Sequence, residues 1–450
     1  MKKLIKIVGV IFFLLFVFFI STITWVDRTP YAQKEFYGQM NKTLDSLDRY
    51  FPALDTGILQ VGWSKVDIVA YDTLPLAGYG ARDPKEFTAI HDSVFIKTFV
   101  LKNAGSKKAL LSAELLVIHP EVTRAFYKRL NHTSWKPSDI YLMATHTHSS
   151  LGAWAPGFVG NLFAGEYDTE TVNWLAEKMF LSLQSAASGL DTGRIGYSAL
   201  SLPDFVKNRL VKDRGEIDPW MKLLYFSSDS LNALHGVYSA HATCLNQKFT
   251  ELSGDFPSAF MSRVVTDSII HFASYSAGAV ASMGPADTET RQWEKAREIG
   301  YGIAEQVSFL SRLGIPKSPR VAMRSFHVPI ALREPNFKVS GELRVRPWIF
   351  YRLFGDYPAN ISVLQLNNVL MIGLPCDFSG ELALPLYEYA ESKGLNLILT
   401  SFNGGYIGYI PHDKWYDLNK YETRTMAWYG FDNGAYVSEI VKRLIDLSSR

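Results

Sequence analysis

Cysteine is nearly absent: 450 residues contain only Cys244 and Cys376. Two thiols cannot staple a fold of this length, and without a CxxC pair nothing suggests a zinc ribbon or a redox motif. Charge imbalance is lacking as well. Forty-six Lys+Arg against 44 Asp+Glu leave +2, so electrostatics gives no reason to expect nucleic acid or another polyanion as a partner. Pro/Ser-rich linkers, charge blocks, low-complexity tracts and repeats are missing, which argues against a string of small domains. What is abundant is apolar. With 47% hydrophobic, 14% aromatic and 20% charged residues the chain can bury a large core, and a disordered or fibrous class is excluded.

Long apolar runs are missing except one, Ile7 to Val26, which carries no charge and is dominated by Phe, Ile, Leu and Val. At about 1.5 Å per residue it spans a hydrocarbon core of about 30 Å. Lys2, Lys3 and Lys6 precede it, and the positive-inside bias keeps them cytoplasmic and sends the rest of the chain across. A cleaved signal peptide competes with an uncleaved anchor, although Ser21 to Val26 lacks a small-x-small site. The expected organisation is a cytoplasmic segment 1–6, a transmembrane signal anchor 7–26, a juxtamembrane helix and linker 27–56, and one catalytic-sized domain 57–450, placed in the periplasm or outside the cell.

Within that domain short β-branched runs predict strands at 94–101, 109–113, 140–144, 223–226, 236–240, 361–366, 369–373 and 395–400. Amphipathic windows predict helices at 121–130, 169–185, 258–272, 292–313, 380–392 and 435–447. The alternation indicates an α/β fold, with mixed sheets flanked by helices and functional groups just past strand ends.

Three strand ends carry such groups. Ala144-Thr145-His146-Thr147-His148 follows one strand, and in extended chain a spacing of two sends both imidazoles to the same side. His241 ends a second strand and Asp377 follows a third. Each alone fits a hydrogen-bonded structural residue equally well. Together, neutral imidazoles and a carboxylate are what a catalytic Zn²⁺ takes, with one position open to water. Cys244 and Cys376 flank these positions and could be buried free thiols, a disulfide or soft ligands.

With their surroundings these residues resemble the N-terminal catalytic domain of the neutral (alkaline, non-lysosomal) ceramidases, from about Val61 to Tyr436. The segments that carry the resemblance are Gly78-Tyr79, Ala89-Ile90-His91-Asp92, Leu111 to Leu115, Ala144 to Ser149, Asn208-Arg209, Ala240-His241, Ser253-Gly254-Asp255, Asn403 to Ile410 and Tyr421-Glu422. The resemblance implies His146, His241, Asp377 and Tyr409 as zinc ligands. Tyr409 taken alone reads as core packing. It further implies His148, Arg209 and Tyr421 around the reacting carbonyl, with Ser282 in a substrate-binding loop. The implied reaction is hydrolysis of a lipid N-acyl bond by water activated on zinc.

This sequence departs from the family pattern in places. Asp377 stands where the family has Glu, one methylene longer, and Glu381, one turn on, is a fallback ligand expected to face solvent. The turn Ser149 to Trp154 is bulkier than a glycine-rich one. The loop Ala277 to Pro285 loses an Asp and an Asn and shifts Ser282 by one. No immunoglobulin-like domain is expected after residue 450. The expectation is therefore a membrane-anchored zinc amidohydrolase acting on a ceramide-like amide. Its alternatives are the same zinc site with another amide or ester substrate, and a membrane-tethered non-catalytic relative. Oligomeric state is not legible.

Overall fold

The computed structural model describes residues 2–69, 73–82, 85–229, 231–266 and 269–450. Two β-sheets stack face to face at its centre. The larger has eight strands in the spatial order Phe272–Ala277, Leu231–Tyr238, Trp220–Ser228, Asp191–Ser201, Gln60–Asp67, Phe95–Lys102, Lys107–Ala113 and Ile140–Ala144. The smaller has five, Asn396–Thr400, Val369–Gly373, Asn360–Leu366, Arg320–Pro329 and Asp55–Ile58. Neighbours are antiparallel except for three parallel pairs, which lie at the ends of the sheets: Lys107–Ala113 with Ile140–Ala144, Leu231–Tyr238 with Phe272–Ala277, and Val369–Gly373 with Asn396–Thr400. The sheets meet through Val61, Phe99, Leu110 and Phe226 of the larger and Val321, Met323, Leu364 and Met371 of the smaller. Each such side chain contributes about 1.5–3 kcal/mol when fully buried.

Ten α-helices surround the sheets: α1 (Lys2–Thr22), α2 (Glu35–Arg49), α3 (Pro120–Leu130), α4 (Gly157–Ala164), α5 (Thr169–Ser188), α6 (Asp255–Thr266), α7 (Gln292–Arg312), α8 (Pro347–Phe354), α9 (Gly380–Ser392) and α10 (Asn433–Ser448), counted among the described residues. Helices α3 and α5 bury Val122, Phe126, Leu175 and Leu183 on one half of the larger sheet. Helices α6 and α7 bury Phe256, Phe260, Ile299 and Ile303 on the other half. Helices α2, α9 and α10 cover the smaller sheet through Leu44, Leu386 and Ile440. The result is helix, sheet, sheet, helix, because each sheet has two apolar faces to bury. The α/β class and mixed sheets expected from the sequence are what the chain adopts.

Most expected elements sit within a few residues of their observed bounds. One does not: the window 258–272 holds helix Asp255–Thr266 and the start of strand Phe272–Ala277, with residues 267 and 268 outside the described ones. The stretch 27–56 is packed rather than slack, since Phe36, Met40 and Leu44 of α2 enter the core beneath the smaller sheet. Residues 3–22 of α1, with mean hydropathy 2.8 and all exposed except Thr22, are long and apolar enough to cross a membrane by length and composition, a test that a signal sequence also meets.

Candidate metal centre and active site

Loops at one end of the sandwich bring the expected residues together. His146 follows strand Ile140–Ala144 and has φ +63°, a left-handed conformation uncommon outside glycine that collects at functional sites. The extended geometry expected of 144–148 is therefore not what turns His146 and His148 to one side. The left-handed residue does so, leaving their Nε2 atoms 3.2 Å apart. His241, three residues past strand Leu231–Tyr238, places its Nε2 2.9 Å from that of His146. Asp377 and Tyr409 are neighbours in a short parallel ladder. The Asp377 Oδ1 lies 3.5 Å from His146 Nε2, and the Tyr409 hydroxyl 3.3 Å from His241 Nε2.

Glycine makes this possible at two points. Gly78 has φ +123°, and a Cβ there would meet the His148 Cα and Cβ at 2.7 Å. Gly408 has φ +78°, and a Cβ there would meet the Met426 carbonyl at 2.4 Å. The first lets His148 close on the cluster, and the second turns Tyr409 into its ladder.

Protonation can be read from the partners. His146 Nδ1 lies 2.8 Å from the Leu116 carbonyl, His148 Nδ1 3.2 Å from that of Gly78, and His241 Nδ1 3.3 Å from that of Val280. A carbonyl only accepts, so each Nδ1 carries the proton and each Nε2 turns a lone pair toward the other two. Burial lowers the His146 pKa to about 3 and pushes those of His148 and His241 well below the ordinary value, with Arg209 adding to the effect on all three. Protonation therefore does not relieve the facing lone pairs. Asp377 is fully buried, and its Oδ2 accepts from the Tyr406 hydroxyl at 2.7 Å. Its Oδ1 has no hydrogen-bond partner. Burial raises this carboxyl to about 7, opposed by the Tyr406 bond and by Arg209.

Three facing imidazole lone pairs beside an orphaned carboxylate oxygen suit a divalent cation. Zinc bonds to N and O of about 2.0–2.1 Å put tetrahedral ligands about 3.3 Å apart. The donor separations of 2.9 to 3.5 Å fit that size. The donor set, N and O without sulfur, belongs to the same borderline class. His148 takes part in the cluster as fully as His146 and His241 do.

The other expected residues fall into three groups. Arg209 donates to the Tyr409 hydroxyl at 3.3 Å and lies 3.4 Å from a Glu422 oxygen. Burial disfavours its cation, yet Tyr409 and Glu422 hold its pKa above the usual value. Tyr421 lines the cleft, its ring 5.9 Å from that of Tyr409. Ser282 is different: it is fully buried, and its hydroxyl pairs with that of Ser379 at 2.7 Å. Glu381, expected to face solvent, is buried instead, held by the Trp415 indole at 3.0 Å and by Lys414 at 3.1 Å. Cys244 and Cys376 are free and buried in separate parts of the core.

Several quoted motif segments act as supports. Asp92 takes the Ser253 hydroxyl and the Gly254 N–H, and Thr147 donates to the Ser253 carbonyl at 2.9 Å. Asn208 Oδ1 accepts from Leu210 N and Val211 N, fixing the loop that carries Arg209. Two contributors were not foreseen. Phe402, itself at φ +69°, stacks on His146 at 4.0 Å, and Tyr406 anchors Asp377. The run Gly404-Gly405-Tyr406-Ile407-Gly408-Tyr409 held the available signal, two phenols three residues apart among glycines.

The cluster forms the floor of an open cleft walled by Leu116, Trp154, Val159, Phe163, Phe354 and Trp428. Its walls are apolar and its polar groups converge at one end, the usual form of a small-molecule site.

A helix-flanked double sheet with a buried three-histidine cluster under an apolar cleft defines an α/β protein whose site is compatible with a metal ion. Comparison narrows it. Residues 59–262 match the family model described as neutral/alkaline non-lysosomal ceramidase, N-terminal. The neutral ceramidase of Pseudomonas aeruginosa strain PAO1 is 26% identical over 286 residues, 55% of this chain and 42% of that protein. The crystal structure of neutral ceramidase from Pseudomonas aeruginosa superposes with a TM-score of 0.72 at 16% identity, covering 88% of this chain and 75% of that one. A structure of ceramidase complexed with C2 gives the same score and identity over 87% of this chain. Residues 59–262 are thus similar to the N-terminal part of the neutral/alkaline ceramidases, and the chain shares their fold. It spans less than half the length of the curated relative that it matches.

Proposed function

We propose that the chain is a membrane-anchored, zinc-dependent amidohydrolase that cleaves the N-acyl bond of a ceramide-like lipid, with its catalytic domain outside the cytoplasm. The observation that carries this reading is the meeting of three imidazole lone pairs and the orphaned Asp377 oxygen at the floor of an apolar cleft. His146, His241, Asp377 and Tyr409 would hold the metal. Bound there, zinc supplies a Lewis acid that polarises the carbonyl and acidifies water.

The chain's own residues then divide the work. The apolar walls hold an acyl chain and exclude water from it, placing the amide carbonyl at the polar floor. His148 accepts a proton from the attacking water at Nε2 and passes it to the departing amine. Its Nδ1–H to the Gly78 carbonyl stabilises the transient imidazolium. Tyr421 supplies a phenolic donor to the oxyanion of the tetrahedral intermediate. Arg209 steadies the Tyr409 oxygen and adds positive potential. The helix α1 and the lysines in its first turns support the anchoring and orientation.

Metal content of the purified protein tests the first half of this reading. One equivalent of zinc is expected in the wild type, and loss of both zinc and hydrolysis in His146→Ala. A wild type that takes up no divalent metal refutes it, and leaves a membrane-tethered non-catalytic relative. A panel of fluorogenic N-acyl sphingosines, fatty amides, acyl amino acids and esters tests the second half. A second reading, the same centre with another amide or ester substrate, is favoured by Trp154 in the cleft wall and by Ser282 turned to Ser379. Release from every panel member except the sphingoid ones would establish it.

A further inference from the structure

The end of α1 is fixed to the start of α8. Strand Ile23–Trp25 follows α1 directly and pairs antiparallel with Leu343–Val345. Arg346 donates its backbone N–H to the Thr22 carbonyl at 2.8 Å and its Nε to that of Ile20 at 2.9 Å. The Trp348 indole donates to the Ser21 carbonyl at 3.1 Å. The last turn of α1 is thus held by Arg346 and the first turn of α8, with no slack chain between helix and domain.

From there α8 leads to the cleft. It has eight residues, about 12 Å of helix, and its last residue, Phe354, lines the cleft wall. Helix α4 begins beside it, with Gly157 facing the Leu353 carbonyl. Val159, Gly160 and Phe163 of α4 line the cleft. The opposite side of α4 presents Phe158, 65% exposed, and Leu162, 44% exposed, one turn apart, and α4 carries no charge at all. Trp348, 55% exposed, and Trp25, 72% exposed, stand where α1 meets the domain, and Arg352 is exposed on α8. Exposed aromatic and aliphatic side chains with arginines beside them, on and near an uncharged helix, match the composition of the bilayer interface.

We propose that the outer face of α4 and α8 docks into the headgroup region of the lipid bilayer that α1 enters. The cleft then opens at the membrane surface, and an amphiphile reaches His146 and His148 from the lipid phase. This inference rests on the membrane-anchor reading above.

The test uses the full chain in phosphatidylcholine nanodiscs, with a single bimane label at Phe158→Cys, Leu162→Cys, Phe12→Cys or Phe309→Cys. The two native cysteines are buried and take no label. Phe12 lies in α1, and Phe309, 62% exposed on α7, is the water-facing reference. Circular dichroism checks each variant's fold. Lipid carrying a nitroxide near the glycerol is expected to quench the labels at 158 and 162 at least twofold more than the label at 309. Quenching at 158 and 162 no greater than at 309, with position 12 quenched, overturns the docking and leaves the anchor standing. Absence of quenching at 12 as well as at 158 and 162 overturns both.

Discussion

Asp377 offers one oxygen to the histidine cluster because Tyr406 holds the other. Replacing Tyr406 with Phe removes the 2.7 Å bond to Oδ2 while keeping the ring, which packs 5.2 Å from Trp428 and 6.2 Å from Phe402. Two consequences follow for the carboxylate. It loses the donor that anchors Oδ2, so Oδ1 is no longer firmly aimed at His146 Nε2. Its pKa, already raised to about 7 by burial with the Tyr406 bond opposing, rises further, so a proton competes better for the ligand. Partners of this kind beside a metal ligand are worth about 10- to 100-fold in metal affinity, or about 1.4–2.7 kcal/mol.

Zinc affinity of the full chain, measured by competition with a chromophoric chelator near neutral pH, is expected to fall by that factor in Tyr406→Phe. The deficit should widen as pH falls. Asp377→Asn sets the scale, since it removes the charge altogether and should lose more. The apo-protein's thermal midpoint separates a local effect from a structural one and should barely move. A Tyr406→Phe affinity within twofold of wild type would refute the reasoning, because Asp377 would then either need no orientation or not be a ligand.

Chelation should destabilise the folded chain. At a free zinc concentration of about 100 Kd the ion adds about 2.7 kcal/mol, so thermal unfolding with and without a chelator should differ in wild type and coincide in His146→Ala. The buried pair Lys97 and Glu114, 2.9 Å apart, predicts that Lys97→Met costs about 3–5 kcal/mol in urea unfolding, because Glu114 is left alone in the core. The double variant Lys97→Met/Glu114→Gln should recover most of that loss, and no recovery would refute the pairing argument. His235 is fully buried between Ser274 and Ser276, and burial lowers its pKa from 6.5 to about 3. The unfolded chain therefore takes up a proton below about pH 6.5 that the folded chain refuses, and stability falls with pH. The loss approaches about 1.4 kcal/mol per unit until about pH 3. A urea titration of His235→Gln should show a shallower acid slope than wild type, and identical slopes would refute the assignment.

How much of this was legible depended on where each residue's partners lie. Ile140–Ala144 and Val369–Gly373 were readable to the residue, because both are fully buried and so unbroken in apolar character. Gln60–Asp67, Asp191–Ser201 and Arg320–Pro329 escaped, since exposed and half-buried positions, with glycines in the first two, dilute the pattern. The helix expected at 258–272 ran too long because Ile269, Ile270 and Phe272 extend its apolar face as well as they announce the strand at Phe272–Ala277. Helix α4, with two glycines in eight residues, reads as loop from its sequence.

The cluster shows the same division. His146 and His148 were visible as a pair, but the backbone that joins them is set by a positive φ and by the gap at Gly78, neither of which spacing encodes. Phe402 and Tyr406 act on His146 and Asp377 from distant segments of chain. Nothing beside His146 or Asp377 in the sequence announces the side chain that will aim it. Donors can be named from short motifs because their chemistry lies in single residues. Their aim is a property of the fold, and it is the aim, at Asp377 above all, that decides whether donors one methylene short of the family pattern still close on one ion.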